Sequence, residues 1–308
     1  MGIPLPPGSR GQVAVTDGLD ATLARIARLG DEYELAIGSH GDGWIDSCEL
    51  VEGGPAFERA IDRLGAGRPD PAAQRAIGSR FVQLYLGFLA PVVAAFALER
   101  RVPDVAAGNL RVRLNDAGWP SSFALVEPRF AALATDPTAG ATVVPDGHSL
   151  AAWLNERAIQ ENAALLIQTV QARLRTSATP LWGSVAEAFA RSLLWHVQPV
   201  APTSAEVVRD AEVLLDREAT PRPAGLRLAD QVRLLEVVED GGEWTFAARR
   251  TCCLQWCLPG GARCADCPLL REPEAPDLLR TRFSEAIARG RALREDPELT
   301  AWSGGRTS

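Results

Sequence analysis

Five of the six cysteines in this 308-residue chain fall in one run, Arg-Arg-Thr-Cys252-Cys253-Leu-Gln-Trp-Cys257-Leu-Pro-Gly-Gly-Ala-Arg-Cys264-Ala-Asp-Cys267-Pro. Thiolates are soft ligands, and gathered in pairs they suit a soft metal or an iron–sulfur cluster. Adjacent cysteines do not readily close a disulfide on each other, because the bond would strain the peptide between them. Two neighbouring thiolates can instead reach two different metal atoms. Cys264 and Cys267 have the two-residue spacing at which a tight turn aims both sulfurs at a single metal. Ten residues separate Cys253 from Cys264, and Pro259, Gly260 and Gly261 among them let the loop fold back and join the two pairs. Cys252, Cys253, Cys264 and Cys267 therefore form a candidate ligand set for a [2Fe-2S] cluster or a tetrahedral zinc. Spacing alone does not choose between them. Cys257 breaks the paired spacing and reads as a partly buried free thiol; Cys48, far upstream, reads as an ordinary buried one.

Arg249 and Arg250 sit beside the first pair, where they would favour a reduced, more negative cluster, or else stand solvated at a strand end. Trp256 lies between the pairs. The three histidines, His40, His148 and His196, have no carboxylate or second histidine at ligand spacing, and His196 reads as a packing or capping residue. No Gly-x-Gly-x-x-Gly turn, phosphate-binding loop or Gly-x-Ser-x-Gly elbow occurs in the sequence. With no nucleotide or flavin signature, any electron used here is expected to arrive from another protein.

The formal charge is −7, with an isoelectric point near 5.2, so there is no overall basic field for nucleic acid or an anionic membrane. All basic residues are arginine, which excludes lysine Schiff-base or nucleophile chemistry. The Met1–Arg10 opening lacks the basic start and apolar run of a secretory signal. No stretch gives about eighteen uninterrupted apolar residues, although Phe81 to Leu98 comes nearest. A cytoplasmic protein without an integral membrane span is the expectation, and in a reducing compartment clustered cysteines are metal or redox groups more often than disulfides.

The elements that must position the cysteines read as mostly helical. Apolar spacing predicts helices over Asp17 to Leu29, Ala56 to Leu64, and Pro71 onward as two runs interrupted at Pro91. Alternation around the turn Asn-Asp-Ala-Gly predicts a hairpin between Asn109 and Val126. A long helix is expected from Ser149 to Arg175. Ser184-Val-Ala-Glu187 and Thr203-Ser-Ala-Glu206 match the capping box and predict helices from Val185 to His196 and Ala205 to Leu215. After a Pro- and Gly-bearing linker at Arg222 to Leu228, a second hairpin, Val232 to Val238 and Trp244 to Arg249 around Asp240 to Gly242, delivers the chain into the first cysteine pair. A closing helix from Pro276 to Leu293 is expected to pack near the cysteine segment. The fold class is α+β and helix-dominated: a helical bundle with small antiparallel sheet pieces and a C-terminal cysteine segment. A boundary in Asp136 to Gly147 would divide it into residues 1–145 and 146–308.

The double-cysteine pattern Cys-Cys-x10-Cys-x2-Cys resembles that of the FhuF-like ferric siderophore reductases, whose C-terminal end reads Arg-x-x-Cys-Cys-Leu-x-Tyr-Arg, a glycine turn, then Cys-x-Asp-Cys-Pro-Leu. Arg249, Cys252, Cys253, Leu254, Pro259, Gly260, Gly261, Cys264, Asp266, Cys267, Pro268 and Leu269 stand in matching places. A weaker likeness runs through Leu181-Trp182-Gly183-Ser184 and Arg191 to Trp195. Trp256 and Cys257 depart from the family's Tyr-Arg, keeping an aromatic but exchanging a cation for a thiol. The resemblance implies a [2Fe-2S] cluster held by Cys252, Cys253, Cys264 and Cys267, and one-electron reduction of a ferric siderophore, hydroxamate type favoured. The electron would come from a ferredoxin or flavin-dependent donor. Trp182, Trp195, Trp244 and Trp256 would then be core residues or the wall of a shallow pocket for a bulky iron chelate. The alternatives are a structural four-cysteine zinc module for partner binding, and an electron carrier for another acceptor.

Overall fold

The structure is a computed structural model that describes residues 18–295 apart from 39–40, 66–69, 137, 139, 202, 217–224, 240–241, 259, 265 and 271–273. The Met1–Arg10 opening, His40, Arg222 to Ala224 of the linker, Asp240 and Gly241 of the second turn, and Pro259 lie outside the described residues.

Helix α1 (Leu19–Ala27) turns Leu19, Leu23 and Ile26 inward. It is followed by two short strands absent from the sequence reading, β1 (Ala36–Ile37) and β2 (Trp44–Asp46), and by α2 (Ser47–Val51) and α3 (Pro55–Arg63). Helix α4 (Pro71–Tyr85) starts where its sequence dictates: Pro71 needs no partner in the first turn, and the Asp70 carboxylate accepts from the Ala72 N–H at 2.9 Å. The interruption falls at a 3₁₀ turn over Leu86–Phe88, not at Pro91. Pro91 lies in the first turn of α5 (Leu89–Glu99), where a missing N–H is no loss. The α5 segment is buried on every face, as an all-apolar helix must be. The run Pro71–Glu99 is long and apolar enough to cross a membrane by length and composition, and 78% of its most apolar window is buried within the fold.

Strands β3 (Arg101–Pro103), β4 (Leu110–Leu114), β5 (Pro120–Leu125), β6 (Phe130–Leu133) and β7 (Thr142–Val144) complete two small sheets, ordered β1-β5-β4-β2 and β3-β6-β7. The expected hairpin is β4–β5. The sheets are mixed rather than purely antiparallel, since β1–β5 and β6–β7 run parallel. The predicted long helix forms as α6 (Gly147–Leu154), a wide π segment over Asn155–Ala163, and α7 (Ala164–Leu174). The Asp146 side chain starts it by accepting from the Ser149 N–H at 2.7 Å. From the π segment, buried Asn162 accepts from the Tyr85 hydroxyl at 2.5 Å and donates to the Val105 carbonyl at 2.6 Å.

Helix α8 (Ala178–Arg191) corrects the first capping box: it begins six residues before Ser184, so Ser184 and Glu187 lie in its interior. The Ser184 hydroxyl instead donates back to the Pro180 carbonyl at 3.1 Å. A second π segment, Ser192–Val197, extends α8, and α9 (Ser204–Leu215) starts as expected although the Thr203 side chain makes no capping bond. The second hairpin pairs β8 (Val232–Glu239) with β9 (Gly242–Arg249) in antiparallel register. Helix α10 (Glu274–Arg294) covers it. Phe283 stacks on Phe246 at 4.2 Å, with Trp195 edge-on to both. One contiguous apolar core runs from Leu19 to Ala247, so buried residues of both halves of the chain share it.

Candidate functional site

Strand β9 ends at Arg249, and the Arg250 N–H closes the strand by donating to the Gln231 carbonyl at 2.9 Å. The chain then turns sharply. Leu254 takes a left-handed backbone (φ 60°), and its N–H donates to the Cys252 sulfur at 3.4 Å. A 3₁₀ turn over Gln255–Cys257 packs on α4, and the loop folds back through Gly260 (φ 69°) and Gly261. Gly261 is obligatory for space, since a Cβ there would fall on the Gln255 carbonyl oxygen. The Cys267 N–H donating to the Cys264 carbonyl at 3.0 Å closes the last turn. Gly183 lets α8 approach the same segment, because a Cβ would overlap the Thr251 hydroxyl beside Cys252.

This path gathers the four thiols two and two. The sulfurs of Cys253 and Cys264 are 3.7 Å apart, close to the about 3.8 Å that separates two ligands of a tetrahedral metal with metal–sulfur bonds of about 2.3 Å. Cys252 lies within electrostatic reach of Cys267. The contact runs between the pairs: Cys253 of the adjacent pair meets Cys264 of the Cys-x2-Cys pair. Among the described residues, no group of three or more His, Cys, Asp or Glu side chains is set to hold a single metal ion. The hydrogen bond from Cys264 holds Cys253 down at about 6, with Arg249 assisting against burial, and the same bond pushes Cys264 up.

Arg249 is buried, not solvated, with Nη2 2.8 Å from Glu187 Oε1 and Nε 3.5 Å from Asp266 Oδ2. Burial alone would lower its affinity for a proton; the charges of Glu187, Asp266, Cys253 and Cys264 reverse that. Its Nε remains a buried donor without a hydrogen-bond acceptor. Burial likewise works to raise Glu187, but Arg249 and Arg191 outweigh it and hold the carboxyl below its ordinary value. Of the other candidates, Arg250 is exposed and Trp256 is 44% exposed. Cys257 and Cys48 are half-buried free thiols, Cys48 less enclosed than expected. Trp182 and Trp244 are core. His196 packs edge-on against Tyr33, and burial, then Arg289 and Arg191, holds it neutral down to about 3.

A cavity of about 430 Å³ opens beside Cys264, walled by Arg80, Glu187, Arg191, Arg249 and Asp266. Glu187 and Arg80 are the site residues that sequence reasoning missed. The signal for Glu187 was a carboxylate on the apolar face of a predicted helix, which the capping-box pattern disguised. Fold and site together define a helix-dominated α+β protein with four thiols gathered at the root of a hairpin. No protein-family model matches the chain, and no curated protein matches it.

Proposed function

We propose that this protein is a [2Fe-2S] ferric-siderophore reductase, which frees iron by one-electron reduction of a chelated Fe(III). The observation that carries the reading is the 3.7 Å approach of the Cys253 and Cys264 sulfurs, which joins the two cysteine pairs across the folded-back loop. Neighbouring thiolates can serve two different irons, and the contact between the pairs lets both share one cluster. The Arg249 Nε–H without an acceptor, on a guanidinium within electrostatic reach of Cys253 and Cys264, also fits an anionic sulfur-rich group.

When bound, the cluster supplies single electrons at a potential set by its charge, hydrogen bonding and exposure. The chain's own groups tune that setting. Arg249 offsets negative charge, Glu187 and Asp266 fix Arg249 in place, and the Leu254 N–H donates to Cys252. Hydroxamate and catecholate oxygens are hard donors that hold Fe(III) far more tightly than Fe(II). One electron added to the chelate therefore loosens the iron, and no side chain has to move a proton. The electron comes from a ferredoxin or flavin-dependent donor in the cytoplasm.

The test is anaerobic mixing of dithionite-reduced, desalted protein with a ferric trishydroxamate and a ferrous-specific chromophore. The reading predicts reoxidation of the protein with one Fe(II) captured per electron. A reduced protein that keeps its electron in the presence of ferric chelates, yet passes it to other acceptors, would identify an electron carrier instead.

A further inference from the structure

The cavity beside Cys264 is an antechamber. Arg80, Gln83, Glu187 and Arg191 line both it and a larger cavity of about 710 Å³, a volume within the range of small-molecule sites. The larger cavity runs from that shared wall between the Asp31–Tyr33 turn, α4, β5 and the π segment Ser192–Val197. Its floor is apolar, with Leu84, Leu86 and Phe123. On one rim stand the exposed carboxylates of Asp31, Glu32 and Glu34. Ser121, Ser122 and Trp44 also line the cavity, and the Trp44 ring lies under the Arg113 guanidinium at 4.7 Å.

We propose that this cleft is the chelate site and that it selects a ferric trishydroxamate carrying a cationic arm, with the metal core at the Arg80–Glu187–Arg191 wall and the arm toward Asp31 and Glu34. The assignment rests on the reductase reading above. Three observations support it. Of the four candidate thiols, Cys264 lines the antechamber, and Arg80 stands within electrostatic reach of both Cys253 and Cys264, so the shared wall adjoins the thiol segment. The wall's donors, Arg80, Arg191 and the Gln83 amide, suit the partly negative oxygens of a hydroxamate core. The trishydroxamate core is neutral, so the exposed Asp31 and Glu34 on the rim are left to attract a cationic arm.

Gallium(III) chelates share the shape and charge of their ferric counterparts but do not accept the electron, so calorimetric titration of the cluster-loaded protein reads binding alone. Native protein is expected to bind a gallium trishydroxamate with a pendant ammonium more tightly than its neutral, acetylated form. Ser122→Trp, which fills the cleft without touching the thiols, should weaken both trishydroxamates about tenfold or more, with the visible spectrum unchanged. Asp31→Asn with Glu34→Gln should weaken the cationic form about threefold or more and leave the neutral form unaffected, as for exposed charge pairs. Unchanged affinity in Ser122→Trp, or equal loss for both chelates in the double variant, would overturn the cleft assignment and leave the reductase reading standing. Cleft-dependent binding in a protein that never reduces the ferric chelate would do the opposite, upholding the site and sinking the reading.

Discussion

Arg249 has its guanidinium buried between Glu187 and Asp266, at the last position of a strand and near the thiols of Cys253 and Cys264. Removing one partner of a buried charge pair strands the other, typically at about 3–5 kcal/mol. Arg249→Leu is expected to cost that much in urea unfolding, and Arg249→Leu with Glu187→Leu less than the sum of the two single changes. The pair also sets an acid limit. The Glu187 carboxyl lies below its ordinary value of 4.5, so its contribution is fully present above that pH and fades as pH falls through the lower folded value. The stability advantage of the native protein over Glu187→Gln should therefore be full at pH 7 and shrink below about pH 4. A constant advantage across that range would show that the carboxylate charge does not matter.

At the scale of elements, α8 carries both the clearest correction and a direct test of it. A serine that caps a helix costs about 1 kcal/mol when replaced by alanine. Ser184 only bonds back within its own helix, so Ser184→Ala should change stability by about 0.5 kcal/mol or less. Gly183→Val, one residue earlier, should drive α8 away from Thr251 and the neighbouring Cys252, costing thermal stability and metal retention together. The elements that local pattern specifies were legible: the β8–β9 hairpin, the glycine turn after Cys257 and the Asn115–Gly118 turn of β4–β5 each contain their own instructions. What was not legible depends on distant partners. Strand β1 has two residues and exists because β5, almost ninety residues on, lies beside it in parallel register. Ser184-x-x-Glu187 satisfies a local motif, yet Glu187 is claimed by Arg249 across the fold. The cysteine set was visible in the sequence, but the meeting of Cys253 with Cys264 was not, because the order in which a folded-back loop presents its sulfurs is a property of the whole turn.

Across the whole molecule, the thiol segment hangs from a hairpin held between the central helices and α10. Phe283, Phe246 and Trp195 make that clamp, a small apolar cluster separate from the main core. Phe283→Ala is expected to cost about 3 kcal/mol or more and to speed loss of bound metal. Unaltered metal retention at reduced stability would show that the clamp holds α10 alone. The same architecture leaves the thiols open on more than one side. The Cys264 side opens toward the α4–α8 cleft, and the Cys267 side toward a separate cavity of about 1020 Å³ under α10, with Arg233, Arg250 and Arg280 among its lining. A donor and an acceptor can thus reach the site from different faces.

The most direct test of the central claim is metal and sulfide analysis, with a visible spectrum, of the protein purified without oxygen. The account predicts a coloured protein with two irons and two acid-labile sulfides per chain, retained in Cys257→Ser and lost in Cys252→Ser and Cys264→Ser. A colourless protein with one zinc per chain, or one whose iron depends on Cys257 and survives loss of Cys264, would contradict it.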